Sequence, residues 1–247
     1  MSKVKKTKLH FSCLGFLRQS KRVFYRTFSF IALTLIALTL FFRFVPIPFS
    51  SYMAQQKVSH ILQGDFSYDL NYQWTSIDNI AWQMQLAVIA SEDQRFPDHE
   101  GFDWKAIKNA LKHNKKTQKH LRGGSTISQQ TAKNLYLWHG RDWIRKGVEV
   151  PITFMLETLW DKKRILEVYL NIAEFGPGIF GVEAASRHYF KKSAKQLSHS
   201  EAALLAAILP NPILFKADKP SAYVKQKQQR ILHQMSLLGK GYLKLLE

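Results

Sequence analysis

Residues 122–135 read RGGSTISQQTAKNL, and the fold follows from how this stretch is parsed. Thr126, followed three positions later by Gln129, matches a capping box, in which hydroxyl and amide each satisfy a backbone N–H that a first helical turn leaves bare. A helix therefore starts just after Thr126, with Gly123 and Gly124 as the turn leading into it. Gln130, Lys133 and Asn134 stand at i, i+3 and i+4, so two amides and a cation project from one helical face. Two readings fit. One is an anion cradle, in which the free N–H groups and dipole of the helix start meet a negative ligand beside the glycines. The other is an ordinary capped helix with a solvated polar face. The Gly-Lys-Ser/Thr order of a Walker loop is absent.

Working outward, helical spacing dominates. Ile80, Met84, Ala87 and Val88 recur with it up to Ser91, and residues 104–111, 164–172 and 182–190 continue it. Ser198 with Glu201 makes a second capping box ahead of apolar residues 202–209. No alternating strand series or internal repeat is visible. Residues 173–181, AEFGPGIFG, read as a tight irregular loop, and residues 115–120 as a basic, flexible one. Pro210 and Pro212 mark the start of a basic amphipathic tail. The predicted fold class is mainly α.

The chain has 247 residues and 46% hydrophobic content, enough for one core-bearing domain plus an appendage. Its formal charge of +18 calls for an anionic partner, and the distribution of charge narrows the choice. No Asp or Glu precedes Asp65, while Lys3, Lys5, Lys6, Lys8, Arg18, Lys21, Arg22 and Arg26 crowd the start. An uncharged apolar run, residues 28–42, follows; with its flanks it approaches the roughly 20 residues that span a bilayer. The expected organisation is a basic cytoplasmic tail at 1–22, a transmembrane signal anchor at 23–45 and an exported domain at 46–247. A cleavable signal peptide is the rival, although no clear small-x-small site precedes Pro46 and Pro48. Nine of the 36 basic residues lie at or before Arg43, so the exported part keeps about half the formal charge. An anion outside the cytoplasm is implied, and nucleic acid becomes a poor candidate. The only cysteine, Cys13, lies in the tail, so no disulfide staples the domain.

Residues 90–104, ASEDQRFPDHEGFDW, end an apolar helix in two carboxylates, Glu92 and Asp93. Carboxylates partly removed from water at such a lip suit general acid or base work. Asp93 is read as pairing with His99 to fix the loop, and Glu92 as the reactive group. In residues 140–151, GRDWIRKGVEVP, Arg141, Arg145 and Glu149 are spaced by four along a helix. An Arg145–Glu149 surface pair would account for that spacing by itself.

Five blocks in order resemble the glycosyltransferase family that polymerises peptidoglycan from lipid-linked precursors. They are EDQRFPDHEG at 92–101, GGSTISQQTAKN at 123–134, RKGVE at 145–149, KRILEVYLN at 163–171 and EFGPGIFGVEAASRHYFKK at 174–192. The resemblance covers residues 83–212. It implies a lysozyme-like helical domain that transfers a growing glycan from undecaprenyl pyrophosphate to the GlcNAc 4-hydroxyl of lipid II, with inversion and a β-1,4 linkage. Glu92 matches the family's catalytic base and Glu149 its second glutamate, which would orient the phosphate-binding groups or hold a divalent ion, Mg or Mn. Lys133, Arg141 and Arg145 would bind the donor pyrophosphate, helped by Ser125, Thr126, Gln130 and Asn134. No organic cofactor is implied. The bacterial inner membrane would carry the anchor, with the domain in the periplasm, where Trp138, Trp143, Ile144 and residues 41–49 could meet lipid. Cell-wall synthesis or division proteins are a further class of partner. Two departures stand out: Lys191 occupies the glycine of a common Tyr-Phe-Gly-Lys pattern, and Val148 a position that some members fill with a cation. A lysozyme-type hydrolase and a non-enzymatic membrane-tethered scaffold remain the rival functions.

Overall fold

A computed structural model describes residues 2–116, 123–140 and 142–246, with side chains from residue 19 onward except that of residue 116. Most of the basic loop expected at 115–120, and Arg141, thus lie outside the described residues. The chain divides into two compact units, residues 1–45 and 46–247.

The first unit is a single helix, α1 (Ser2–Phe41). Its stretch Gln19–Phe41 has a mean hydropathy of 1.8 and is only 6% buried, so its apolar surface has no protein core to enter. Both a membrane anchor and a signal sequence have that property. The hydroxyls of Thr34 and Thr39 bond back to the carbonyls of Phe30 and Leu35, which removes two polar groups from an apolar surrounding.

The second unit is helical, with α2 (Ser51–Leu62), α3 (Trp82–Glu92), α4 (Trp104–Lys116), α5 (Ile127–Tyr136), α6 (Trp143–Leu159), α7 (Lys162–Ile172), α8 (Val182–Phe190), α9 (His199–Ile208) and α10 (Ala222–Leu238). Helix α3 is apolar almost all round: Met84, Leu86, Ala87, Val88, Ile89 and Ala90 are all buried. Such a helix has to run through the core, and it does so between α9 and α10. The alanines of α9 let the backbones approach closely. Helix α5 packs on α6 and α7, and all eight residues from Ile165 to Ile172 of α7 are buried.

One sequence expectation changes. The loop at 173–181 is a hairpin, β2 (Glu174–Gly176) and β3 (Ile179–Phe180), and β1 (Asn71–Tyr72) adds to β3 in parallel, giving the order β1-β3-β2. These strands of two or three residues are too short to show alternation. Gly181 closes the hairpin at φ +81, where a Cβ would lie 2.6 Å from the Asn171 carbonyl oxygen. The basic amphipathic segment after Pro212 packs into the domain. Val224, Ile231 and Met235 of α10 are buried, and the helix is part of the α3–α9 core.

The departure at Lys191 has a structural counterpart. Lys191 caps α8 in the left-handed conformation, φ 58 and ψ 30, a place that glycine normally takes. Val148 is 38% exposed on α6.

Candidate active site

Glu92 is the last residue of α3 and Asp93 its C-cap, so neighbouring carboxylates leave one helix end in different directions. Asp93 turns inward. Only 6% exposed, it accepts from His99 Nε2 at 3.0 Å and from the Ile127 backbone N–H at 3.0 Å. Glu92 is half-buried; its Oε1 accepts from the Ser91 hydroxyl at 3.1 Å and its Oε2 from the Gln130 amide at 3.1 Å.

The start of α5 corrects the anion-cradle expectation. The Thr126 N–H bonds Gln129 Oε1, the Gln129 N–H bonds Thr126 Oγ1, and the Ile127 N–H is taken by Asp93. The anion at this helix start is therefore Asp93, brought from 34 residues upstream. Thr126 is 2% exposed and donates its hydroxyl to the Gly101 carbonyl at 2.6 Å, so its polar atoms serve the cap. Gly124 serves packing, since a Cβ there would sit 3.3 Å from Ile107 Cα of α4. Gly123 has open space around it.

Two cavities flank α5. One, of about 580 Å³, is lined by Glu92, Arg95, Lys105, Asn109, Gly123 and Ser125, among others. The other, of about 530 Å³, is lined by Gln130, Lys133, Asn134, Arg145, Tyr169 and Glu174, with Tyr52, His139 and Asn211 completing its polar surface. The residues expected to bind one group are thus divided: Ser125 shares a cavity with Glu92, whereas Gln130, Lys133, Asn134 and Arg145 share the second. Gln130 belongs to both environments, donating to Glu92 and accepting from the Tyr169 hydroxyl at 3.3 Å. Burial, aided by Glu92 and Asp93, pushes the Tyr169 hydroxyl well above its ordinary range, so it stays a donor.

The second cavity is built to hold negative charge. Arg145, 8% exposed, donates to Glu149 Oε2 at 2.8 Å and to the Gly140 carbonyl at 2.8 Å, which fixes its guanidinium. Asp142 starts the helix beneath it, accepting the Arg145 N–H at 2.7 Å and the Trp138 indole N–H at 2.9 Å. Burial lowers the Lys133 ammonium from its ordinary value; Arg145 and Lys146 add to that, while Glu149 and Glu92 oppose it. His139 is also lowered, by burial and then by Lys133 and Arg145.

Glu149 is 3% exposed and receives Arg145, Lys146 and the Gln129 amide. Those donors repel a further cation, so Glu149 does not fit the role of metal ligand. Among the described residues no group of three His, Cys, Asp or Glu is placed to hold an ion. The geometry instead gives Glu149 the orientation of Arg145 and Lys146.

Tyr52, His139, Tyr169, Glu174 and Asn211 were not singled out from the sequence as site residues. Tyr169 and Glu174 sit inside recognised blocks, and Asn211 lies between the two prolines, but only the packing brings all five to one cavity.

Residues 58–236 match the family described as Transglycosylase. The chain is 63% identical over the full length of both chains to the biosynthetic peptidoglycan transglycosylase of Pasteurella multocida. It is 69% identical to that of Mannheimia succiniciproducens over 88% of each chain, and 60% identical to that of Haemophilus influenzae over 97% of this chain and 99% of the other. The helical unit that carries Glu92 and the cation-lined cavity is of the lysozyme-like helical class of that family. By this match and this arrangement, the chain belongs to the transglycosylase family.

Proposed function

We propose that the chain polymerises peptidoglycan glycan strands from lipid II. The single observation that carries this is the pairing, through Gln130, of one half-buried carboxylate with a separate cavity lined by Lys133 and Arg145. A glycan hydrolase needs acidic groups around a sugar cleft, but has no use for a fixed arginine and a buried lysine beside it. Transfer from a lipid pyrophosphate needs both.

In this reading Glu92 accepts the proton of the acceptor's GlcNAc 4-hydroxyl as that oxygen attacks C1 of the donor MurNAc. The bond to the pyrophosphate oxygen breaks at the same carbon, so configuration inverts and undecaprenyl pyrophosphate leaves. Lys133 and Arg145 stabilise the charge growing on the leaving group, with Gln130 and Asn134 as neutral donors. Arg141 is proposed as a third cation. Ser125 lies on the Glu92 side, where the acceptor enters. A divalent ion at the pyrophosphate would be held by phosphate oxygens rather than by Glu149, and no step is assigned to it.

The apolar stretch Gln19–Phe41, with its basic flank, supports a single-pass anchor in the bacterial inner membrane and a periplasmic domain. Trp143, Ile144 and Phe154 of α6 are exposed at 91%, 75% and 61%, and Trp138 at 42%; these side chains suit contact with the lipid tails that bring the substrate. Cell-wall synthesis or division proteins would meet it there.

The test is to incubate the full chain and its Glu92→Gln variant with labelled lipid II and separate polymer from fragments. Wild type should yield polymer, and the variant should be roughly 10²- to 10⁴-fold slower while still binding a donor analogue. Release of fragments from finished peptidoglycan, or binding without turnover, would replace the polymerase by one of its rivals.

A further inference from the structure

Glu174 has no part in the mechanism above, yet its carboxyl stands in the wall of the cavity lined by Lys133 and Arg145. It is 6% exposed. Its Oε2 accepts the Tyr52 hydroxyl at 2.6 Å, while Oε1 is buried and makes no hydrogen bond; the Gly178 N–H is near the carboxyl without reaching hydrogen-bond geometry. Tyr52 in turn accepts from the Gln56 amide at 2.9 Å and stacks on His139, ring centres 4.4 Å apart.

The contrast with Glu149 is informative. Glu149 is buried against two cations, whereas none of the ion pairs among the described residues involves Glu174. An ionised carboxylate here would be a desolvated charge without a counter-ion, in a cavity meant for a pyrophosphate dianion. Loss of the charge removes both penalties.

We propose that Glu174 is a further binding residue of the donor pocket, present there as a neutral carboxylic acid, whose ionisation weakens the hold on the lipid-linked pyrophosphate. The proposal rests on the assignment of this cavity to the donor. Burial pushes the Glu174 carboxyl up from its ordinary value, with the Tyr52 hydroxyl and the Gly178 N–H opposing. The other titratable or charged groups facing it are Tyr52 of α2, Tyr68 before β1, Tyr189 of α8, and across the cavity Lys133, His139 and Arg145. The tyrosines are all raised by burial and stay neutral. His139, lowered from its ordinary value, is the other group here that changes charge below neutrality, and its protonation would also favour an anion.

The sign is therefore definite: a carboxyl whose proton is favoured by bound anion makes affinity fall as pH rises through its titration. The experiment uses the full chain in detergent, in a His139→Gln background, and a non-reactive short-chain prenyl pyrophosphoryl sugar. That probe is a pyrophosphate diester whose two charges do not titrate near neutral pH. Its affinity should drop roughly tenfold or more as Glu174 ionises, the scale expected for like charges a few ångströms apart. Adding Glu174→Gln should keep the low-pH affinity and remove the drop. Tyr52→Phe, which deletes a hydrogen bond that favours the carboxylate, should move the drop to higher pH. Parallel curves with and without Glu174→Gln, weaker binding by Glu174→Gln at every pH, or an unmoved midpoint in Tyr52→Phe would each overturn the proposal. If Lys133→Ala binds the probe as tightly as its parent, the donor-site assignment itself fails, and this proposal with it.

Discussion

The side-chain amide of Gln130 donates to Glu92 Oε2 across 3.1 Å, and its carbonyl oxygen accepts from the buried Tyr169 hydroxyl at 3.3 Å. One side chain on α5 thereby fixes a carboxylate at the end of α3 and belongs, at the same time, to the cavity that carries Lys133 and Arg145. Because a carboxylate only accepts, the amide has one useful orientation, with its NH₂ toward Glu92, and the Tyr169 hydroxyl donates to its other end.

Replacing that amide by an apolar group of similar length tests the link. Gln130→Met should leave Lys133 and Arg145 in place and remove one neutral donor, so donor binding should weaken less than turnover does. Turnover should fall about 10- to 100-fold, the equivalent of one hydrogen bond to a charged group of about 1.5–3 kcal/mol. Single-turnover rates, compared with the affinity for a donor analogue, separate the two effects. An equal loss in both would mean that Gln130 acts only as a pocket wall.

Glu149→Gln removes the anion between Arg145 and Lys146 at a buried site. Breaking such a pair leaves an uncompensated cation, and the domain should lose about 3 kcal/mol in denaturant unfolding. The pH dependence should move as well. Burial already lowers Lys133, and Glu149 is among the groups that hold it up. Without Glu149 the ammonium should lose its proton at lower pH, so donor affinity should begin to fall nearer neutrality as pH rises. In a Lys133→Arg, Glu149→Gln double variant, that alkaline loss should vanish because arginine does not titrate there.

Asp93 joins the end of α3 to the start of α5 through the Ile127 N–H and, through His99, to the loop between them. Asp93→Ala leaves that N–H and the imidazole without an acceptor, in a region where Ile127 is fully buried. A loss of about 3 kcal/mol is expected from two unsatisfied buried donors. Urea unfolding measures it. Asp93→Asn, which retains an acceptor oxygen, should recover part of the loss, and an unchanged midpoint in Asp93→Ala would remove Asp93 from the framework.

Lys191 holds a left-handed backbone at the end of α8. Lys191→Gly should stabilise the domain by about 0.5–1 kcal/mol, since relief of the left-handed strain exceeds the added flexibility of the unfolded chain. Thermal unfolding should show a small rise in midpoint with activity unchanged. A fall would mean that the Lys191 ammonium contact with the His188 carbonyl, 3.0 Å, matters more than the backbone.

What the sequence determined by itself was whatever rests on neighbours along the chain. The capping boxes at Thr126 and Ser198 are satisfied within three residues, so the starts of α5 and α9 were legible. So were the helical repeats of α3, α7 and α8, and the emergence of Glu92 at a helix end. The Asp93–His99 pair was legible too, lying six residues apart. Tertiary structure decided what depends on partners far along the chain. The N–H groups at the start of α5 could be counted from the sequence, but not that Asp93 would occupy one of them. Ser125 and Gln130, five positions apart on one motif, went to different cavities because Ser125 lies in the turn before the Thr126 cap while Gln130 lies within α5. Glu174 and Tyr52, separated by 122 positions, meet because a short hairpin closes against α2. Such contacts follow from which apolar faces are buried together, and burial is a property of the assembled core rather than of any window of sequence.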